Sequence, residues 1–205
     1  MLAMSTALPE RHKSSVVKPV DFDVFWDGTL AEMEEVSTDF LMEPVPIRST
    51  SEVEVFEAHY ESYGGLEIAG WYARPRGANH SLPALLQVPG YAGEPTLPSA
   101  LAALGYAVFS VAPRGKLRSN GVFNPGYPGL LIHNIDNRDN YGYRGFYMDA
   151  LRAFDLLAGL PEVDPGHIGV LGSSQGGALT LLVSSLRAGS VKAASVGAPY
   201  LCSIM

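Results

Sequence analysis

Cysteine is almost missing from this 205-residue chain. The single one, Cys202, excludes an internal disulfide framework and a cysteine-based metal cluster, and it reads as a small core residue rather than a reactive thiol. Charge is scarce as well: Asp, Glu, Lys and Arg make up 17% of residues, with a net charge of −7 and no basic cluster. That balance argues against a nucleic-acid surface and against an anionic-membrane surface. No apolar run has the length of a membrane span, and the start, Met1 to Lys18, lacks an apolar stretch of signal-peptide length. A cytoplasmic location is the default expectation. There is no internal repeat and no low-complexity segment.

What is present is enough apolar residue, 47%, to bury a sizeable core in one domain or at most two. Residues 1–18 show no hydrophobic period and read as a loose leader, with Met4 a second possible start, so a single domain is expected over 19–205. Phe22, Phe25, Trp26, Leu30 and Met33 fall at helical spacing behind Asp21 as N-cap, with Asp23, Asp27, Glu34 and Glu35 on the other face. An aromatic stripe of this kind is far more often core packing than a ligand box. Glu43-Pro44-Val45-Pro46 is expected to stop that helix. Glu52 to Tyr63 and Leu66 to Ala73, joined by Tyr63-Gly64-Gly65, predict a β-hairpin, with a bulge where the alternation slips near Val55-Phe56.

From there short apolar runs alternate with helices, the pattern of a largely parallel sheet covered on both faces. Ala84 to Val88, Tyr106 to Ala112, Ile168 to Leu171 and Val191 to Val196 are the expected strands. Pro98 to Leu104 and a segment marked by Tyr147, Ala150, Leu151, Phe154, Leu157 and Ala158 are expected helices. Residues 117–142 form the longest irregular connection, and long loops in compact α/β domains are usually functional.

The chemistry concentrates in Gly172-Ser173-Ser174-Gln175-Gly176-Gly177. A buried strand runs into it and an apolar-periodic helix leaves it, which is the context required of a nucleophile elbow, Gly-x-Ser-x-Gly. Gly172 and Gly176 lack the Cβ that would block close approach around the turn, and an ordinary glycine-rich strand-to-helix turn is the competing reading. Ser174, not Ser173, is then the candidate nucleophile. The Gln175 amide, at the helix N-terminus, is one candidate oxyanion donor. The other is the Tyr91 N–H in the loop Pro89-Gly90-Tyr91 after the first parallel strand; a packed loop aromatic is the plainer alternative for Tyr91.

Several stretches in register carry a resemblance. They are Asp21-Phe22-Asp23-Val24-Phe25-Trp26-Asp27, Tyr63-Gly64-Gly65 with Gly70-Trp71, Gly90-Tyr91-Ala92-Gly93, Arg114-Gly115, Leu160-Pro161-Glu162-Val163-Asp164-Pro165 and the elbow. From about Pro19 to Cys202 the chain resembles the acetyl xylan esterases and cephalosporin C deacetylases of carbohydrate esterase family seven. The resemblance implies an α/β-hydrolase fold and hydrolysis of acetyl esters on sugars, xylo-oligosaccharides and related small esters. It also implies no metal or organic cofactor, and a cytoplasmic homo-oligomer. Arg114 is implied to brace the active-site loops; a solvated loop arginine is the alternative. Two positions depart from the family pattern: Pro89 stands where histidine is usual and Lys116 where glutamine is usual. Pro89 removes a backbone donor and stiffens the loop.

In α/β-hydrolases the triad follows the order Ser, Asp or Glu, His. Residues 175–205 contain no His, Asp or Glu. His167 precedes its strand and is expected at the wrong end of the sheet, while His12, His59 and His80 read as surface residues. His133, with Asp136 and Asp139, lies on the correct end as a substitute base. The favoured reading is a family member truncated before its triad is complete, its sheet lacking the last strands and Val191 to Val196 left as a bare edge. The alternatives are a catalytically inactive fragment or pseudoenzyme, and another α/β-hydrolase of dienelactone-hydrolase type.

Overall fold

A computed structural model describes residues 16–200 apart from 92, 120, 122, 127 and 128. Most of the leader, residues 1–15, and Cys202 lie outside the described residues. The elements run α1 (Phe22–Glu34), β1 (Phe40–Pro44), β2 (Val53–Ser62), β3 (Leu66–Pro75), β4 (Leu82–Val88), α2 (Ser99–Ala102), β5 (Ala107–Ala112), α3 (Gly129–Ile132), α4 (Gly142–Ala158), β6 (Val163–Ser173), α5 (Gln175–Leu186) and β7 (Val191–Gly197). Short 3-10 turns at Pro46–Arg48 and Leu117–Ser119 punctuate the connections. The described strands form one seven-stranded sheet in the order β1-β2-β3-β5-β4-β6-β7.

The sheet is mixed. β4, β5, β6 and β7 are mutually parallel, whereas β1, β2 and β3 join as an antiparallel flank that meets β5. The α/β-hydrolase architecture expected from the sequence is therefore present, with an antiparallel flank beside its parallel half. The chain goes from β4 to β5 on one side and returns to β6 on the other, so loops leaving the carboxyl ends of β4 and β6 diverge over one crevice. Open α/β sheets bind their ligands at that place.

The hairpin forms because Gly64 and Gly65 both adopt positive φ, 77° and 73°. It contains no bulge: β2 and β3 pair without a break from Val53↔Pro75 to Ser62↔Leu66. The slip in hydrophobic alternation has another cause. Val53 and Val55 pack with Trp71, Ala73 and Ala102 of α2 on one face. Ala58 and Tyr60 join the main core beneath α4 on the opposite face. One regular strand thus changes which face is covered halfway along its length.

Two other expectations are corrected. α1 ends at Glu34, nine residues before Glu43, and Phe40–Pro44 forms the antiparallel edge strand instead. Asp21 stands at the N-cap position without a side-chain cap bond; its carboxylate pairs with Arg138 at 2.6 Å. The stripe on α1 behaves as packing where Trp26, Leu30 and Met33 meet Met148 and Leu151 of α4, while Phe22 stays 41% exposed. α4 starts earlier than its apolar spacing suggests and buries residues on nearly every side. It is wedged between the sheet and α1, so its period is masked.

Candidate active site

β6 delivers the chain into the elbow and α5 takes it away. Ser174 is the hinge of that reversal, at φ 56° and ψ −118°, a backbone region that costs a non-glycine residue about 1–3 kcal/mol. The structure holds it there from three directions. The Ser174 N–H donates to the Gly197 carbonyl at 2.8 Å, and the Ser174 carbonyl accepts from Tyr200 N at 2.9 Å and Ala178 N at 3.1 Å. Ser174 itself is exposed while the next residues are buried. A hydroxyl carried on an exposed, strained turn at the carboxyl edge of a sheet is what the elbow motif requires.

The flanking glycines are there for clearance. A Cβ on Gly172 would lie 2.5 Å from the Gly176 carbonyl oxygen, and one on Gly176 would lie 2.4 Å from the Val88 carbonyl oxygen. β6 and the start of α5 therefore close onto the end of β4, where Val88 pairs with Gly172. This contact brings the loop after β4 beside the serine. A Cβ on Gly90 would stand 3.4 Å from the Ser173 carbonyl oxygen and 3.9 Å from Ser174 Cβ. Residues 84 positions apart in sequence, Gly90 and Ser174, are thus neighbours.

Of the two candidate donors, Gln175 is the first residue of α5. Its side chain is buried and donates through Nε2 to the Tyr143 hydroxyl at 2.8 Å, which ties the elbow to α4. Burial, foremost, pushes the Tyr143 phenol well above its ordinary range, so it remains a neutral partner. Tyr91 lies in the loop next to Gly90 and packs against the main core. Lys116 reaches that loop from beyond β5. Its Nζ donates to the Gly90 carbonyl at 2.6 Å and to the Tyr91 carbonyl, and lies 5.5 Å from the Tyr91 ring centre. Lys116 as a whole is 2% exposed. Burial pulls its pKa down from 10.5 to about 8, against the opposing charge of Glu94.

Arg114 is not a solvated loop residue. It is buried, and its backbone N and Nε donate to Asp149 Oδ2 at 2.8 and 2.9 Å. Nη2 donates to Asp149 Oδ1 at 2.8 Å and to the Tyr63 carbonyl at 2.6 Å. Burial opposes the Arg114 charge, and Asp149 outweighs it, so the guanidinium pKa is raised. The pair locks the end of β5, the hairpin turn and α4 together. Gly145 makes the room, since a Cβ there would sit 2.1 Å from Arg114 Nη1.

The histidines fall elsewhere. His133 sets its ring edge-on to Phe123 at 5.1 Å and approaches Asn134, with the Gly142 backbone behind it. None of those neighbours belongs to the elbow. His167 is exposed and bonded to Asp164 at 2.8 Å, one residue before the regular pairing of β6 begins at Ile168, hence at the end of the strand away from Ser174. His59 lies beside Glu57 and Glu67 on the hairpin, and His80 beside Asn79. Among the described residues no group of three or more His, Cys, Asp or Glu is placed to hold a metal ion, and no helix is long and apolar enough to cross a membrane.

The sequence reading did not find Asp149, Tyr143 or the clamp made by Lys116. Asp149 did leave a signal. It is an acid inside the apolar stripe of α4, between Phe146 and Ala153, where only a buried cationic partner would make it tolerable. Lys116 left none, because the carbonyls it binds belong to a loop on another strand.

The overall fold is shared with known proteins. A solved acetyl xylan esterase from Paenibacillus sp. R4 superposes with a TM-score of 0.87 at 29% identity, over 97% of this chain and 66% of that one. Acetyl xylan esterase 1 from Thermoanaerobacterium sp. JW/SL YS485 gives 0.85 at 25% identity, over 98% and 65%. Among curated proteins, the acetyl esterase Axe7A of Xylanibacter ruminicola is 28% identical over 193 residues, 87% of this chain and 43% of that protein. The chain thus spans less than half of that curated relative and just under two thirds of the two solved ones. With the model of the family described as acetyl xylan esterase (AXE1) matching residues 1–205 throughout, the chain belongs to the acetyl xylan esterase family.

Proposed function

We propose that this chain carries the nucleophile and oxyanion portion of a serine esterase that removes acetyl groups from sugars, xylo-oligosaccharides and related small esters, cephalosporin C among them. The observation that supports it best is the strained, exposed Ser174 set beside the Gly90-Tyr91 loop. In this reading Ser174 Oγ attacks the acetyl carbonyl carbon, and the carbonyl oxygen takes the negative charge between the Tyr91 and Gln175 amides. The bond from the acetyl carbon to the sugar oxygen then breaks, the proton given up by Ser174 Oγ ends on that departing oxygen, and the acetyl group stays on Ser174. Water attacks that acyl-enzyme, releases acetate and restores the hydroxyl. No metal or organic cofactor enters this chemistry. A cytoplasmic homo-oligomer is part of the same proposal, on the strength of the family resemblance.

A second reading has its own observation: residues 175–205 supply no His, Asp or Glu, so the general base must come from His133, from further polypeptide, or from nowhere. In the last case the chain is a catalytically inactive fragment. Hydrolysis of p-nitrophenyl acetate by the chain and by Ser174→Ala separates the readings. Activity abolished by the substitution supports the esterase. Activity that survives it excludes Ser174 as nucleophile, and absence from both forms favours the fragment. A panel of acetyl, longer acyl and peptide substrates distinguishes acetyl specificity from a dienelactone-hydrolase-like or peptidase-like activity.

A further inference from the structure

The Gly90 carbonyl and the Tyr91 N–H are two ends of one planar peptide unit, and a trans peptide points them in opposite directions. Whatever holds the oxygen therefore aims the hydrogen. Two donors hold it: Gly93 N at 3.1 Å and the Lys116 ammonium at 2.6 Å. Lys116 also binds the next carbonyl, that of Tyr91. A charged donor on the oxygen does more than aim the unit. It polarises the peptide and strengthens the N–H at the other end as a donor, by about 10–30% per bond. From this geometry we infer that Lys116 is a positioning residue, which locks and polarises the Gly90–Tyr91 peptide so that its N–H serves as a strengthened oxyanion donor only while the ammonium is protonated. The inference rests on the esterase reading for its catalytic meaning, and on the hydrogen bonds alone for the clamp.

The surroundings of Lys116 allow one group to report its charge. The small cavity beside it, about 320 Å³, is lined by Tyr91, Glu94, Gly115, Asn124, Gly126 and Leu130. Glu94 is the acid that faces it and the Tyr91 phenol the neighbouring weak acid. The cations on its own segment point elsewhere, Arg114 into Asp149 and Arg118 onto Glu57 and the Trp71 ring. His133, on the same long connection, is occupied with Phe123. With its pKa held at about 8 by burial, Lys116 is the cation among these that changes charge in a mildly alkaline range. Below that value the clamp is charge-assisted; above it the neutral amine retains two N–H donors but no longer polarises the Gly90–Tyr91 peptide with a full charge.

The test follows the backbone amide of Tyr91 by ¹⁵N–¹H correlation spectra from about pH 6 to about pH 10. In the wild-type chain the resonance should move with a midpoint near 8. Lys116→Met keeps the length without the charge and should fix the resonance at its alkaline position. Lys116→Arg keeps the charge throughout and should fix it at its acidic position, which also preserves the test should the methionine variant fail to fold. A wild-type resonance that stays flat, or one that moves alike in Lys116→Met, overturns the inference. Where Ser174-dependent hydrolysis is measured, its rate should fall above about pH 8 in the wild type and not in Lys116→Arg. Lys116→Met should lower the rate about 10-fold at neutral pH, part of the roughly 10²–10³ that a whole oxyanion donor is worth. A flat resonance with Ser174-dependent hydrolysis intact sinks the clamp and leaves the esterase. A titrating resonance with hydrolysis indifferent to Ser174 does the reverse.

Discussion

Asp149→Asn is the substitution whose cost the structure specifies most fully. The carboxylate is completely buried and accepts from Arg114 N and Nε on Oδ2, and from Arg114 Nη2 and Ser62 Oγ on Oδ1, the last at 2.6 Å. Asparagine keeps one oxygen and replaces the other with an NH2, which faces the Arg114 N and Nε donors at the Oδ2 position, or the Arg114 Nη2 donor at the Oδ1 position, where only the Ser62 hydroxyl can turn to accept. The guanidinium, itself buried, also loses its counter-ion. Breaking a buried pair by neutralising one side costs about 3–5 kcal/mol, a large share of the roughly 5–15 kcal/mol that holds an ordinary domain together. At about 2–4 °C per kcal/mol for a chain of this size, the melting temperature should fall by about 6–20 °C. Urea denaturation and thermal melts followed by circular dichroism, at neutral pH, measure both. Replacing the pair together, Arg114→Met with Asp149→Leu, should recover much of the loss, because the penalty lies in an uncompensated charge rather than in an absent attraction. A loss below about 1 kcal/mol for Asp149→Asn, or a double variant no better than the single one, would refute the claim that this ion pair braces the site.

Ser174→Gly should raise stability while removing the hydroxyl: relief of about 1–3 kcal/mol of backbone strain exceeds the glycine entropy cost of about 0.5–1 kcal/mol, and a melting temperature below the wild-type value would count against a strained elbow. Gly176→Ala should destabilise by about 3 kcal/mol or prevent folding, since its Cβ would press 2.4 Å from the Val88 carbonyl, which is backbone and cannot turn aside; a near-wild-type urea midpoint would show that the elbow has slack. Among the described residues β7 pairs with β6 alone, and Lys192 to Ser195 are exposed. An unpaired edge of this kind invites strand addition, so light scattering of the isolated chain should show association at tens of micromolar, and a monodisperse, highly stable monomer would contradict this.

Features set by a few consecutive residues were the ones legible in the sequence. The hairpin turn needs two positive-φ positions and the chain offers Gly64-Gly65; the elbow needs small residues on both sides of Ser174 and the chain offers Gly172 and Gly176. Strand β1 was illegible for the opposite reason. Phe-Leu-Met-Glu-Pro has no strong period, and it becomes a strand because β2 presents an open antiparallel edge from Phe56 to Tyr60. The apparent bulge in β2 was a misreading of the same kind. Alternation records which side of a strand is covered, and here α2 covers one side of the first half and α4 the other side of the second.

The candidate site divides along the same line, and the division bears on how it works. Ser174 and the Gln175 amide come from one continuous turn, whose geometry is set by its own glycines. The Tyr91 amide comes from a different strand, and nothing within Pro89-Gly90-Tyr91 fixes which way that peptide faces: Gly90 is the least restrained residue available, while Pro89 fixes only its own φ. Two donors restrain that peptide, the Gly93 N–H two residues further along the same loop and the ammonium of Lys116 from beyond β5, and only the second carries a charge. A residue that looks in the sequence like a mere departure from a family pattern thus supplies the charged contact on the loop that carries the proposed second donor, and it does so from a part of the chain that the loop's own sequence does not reveal.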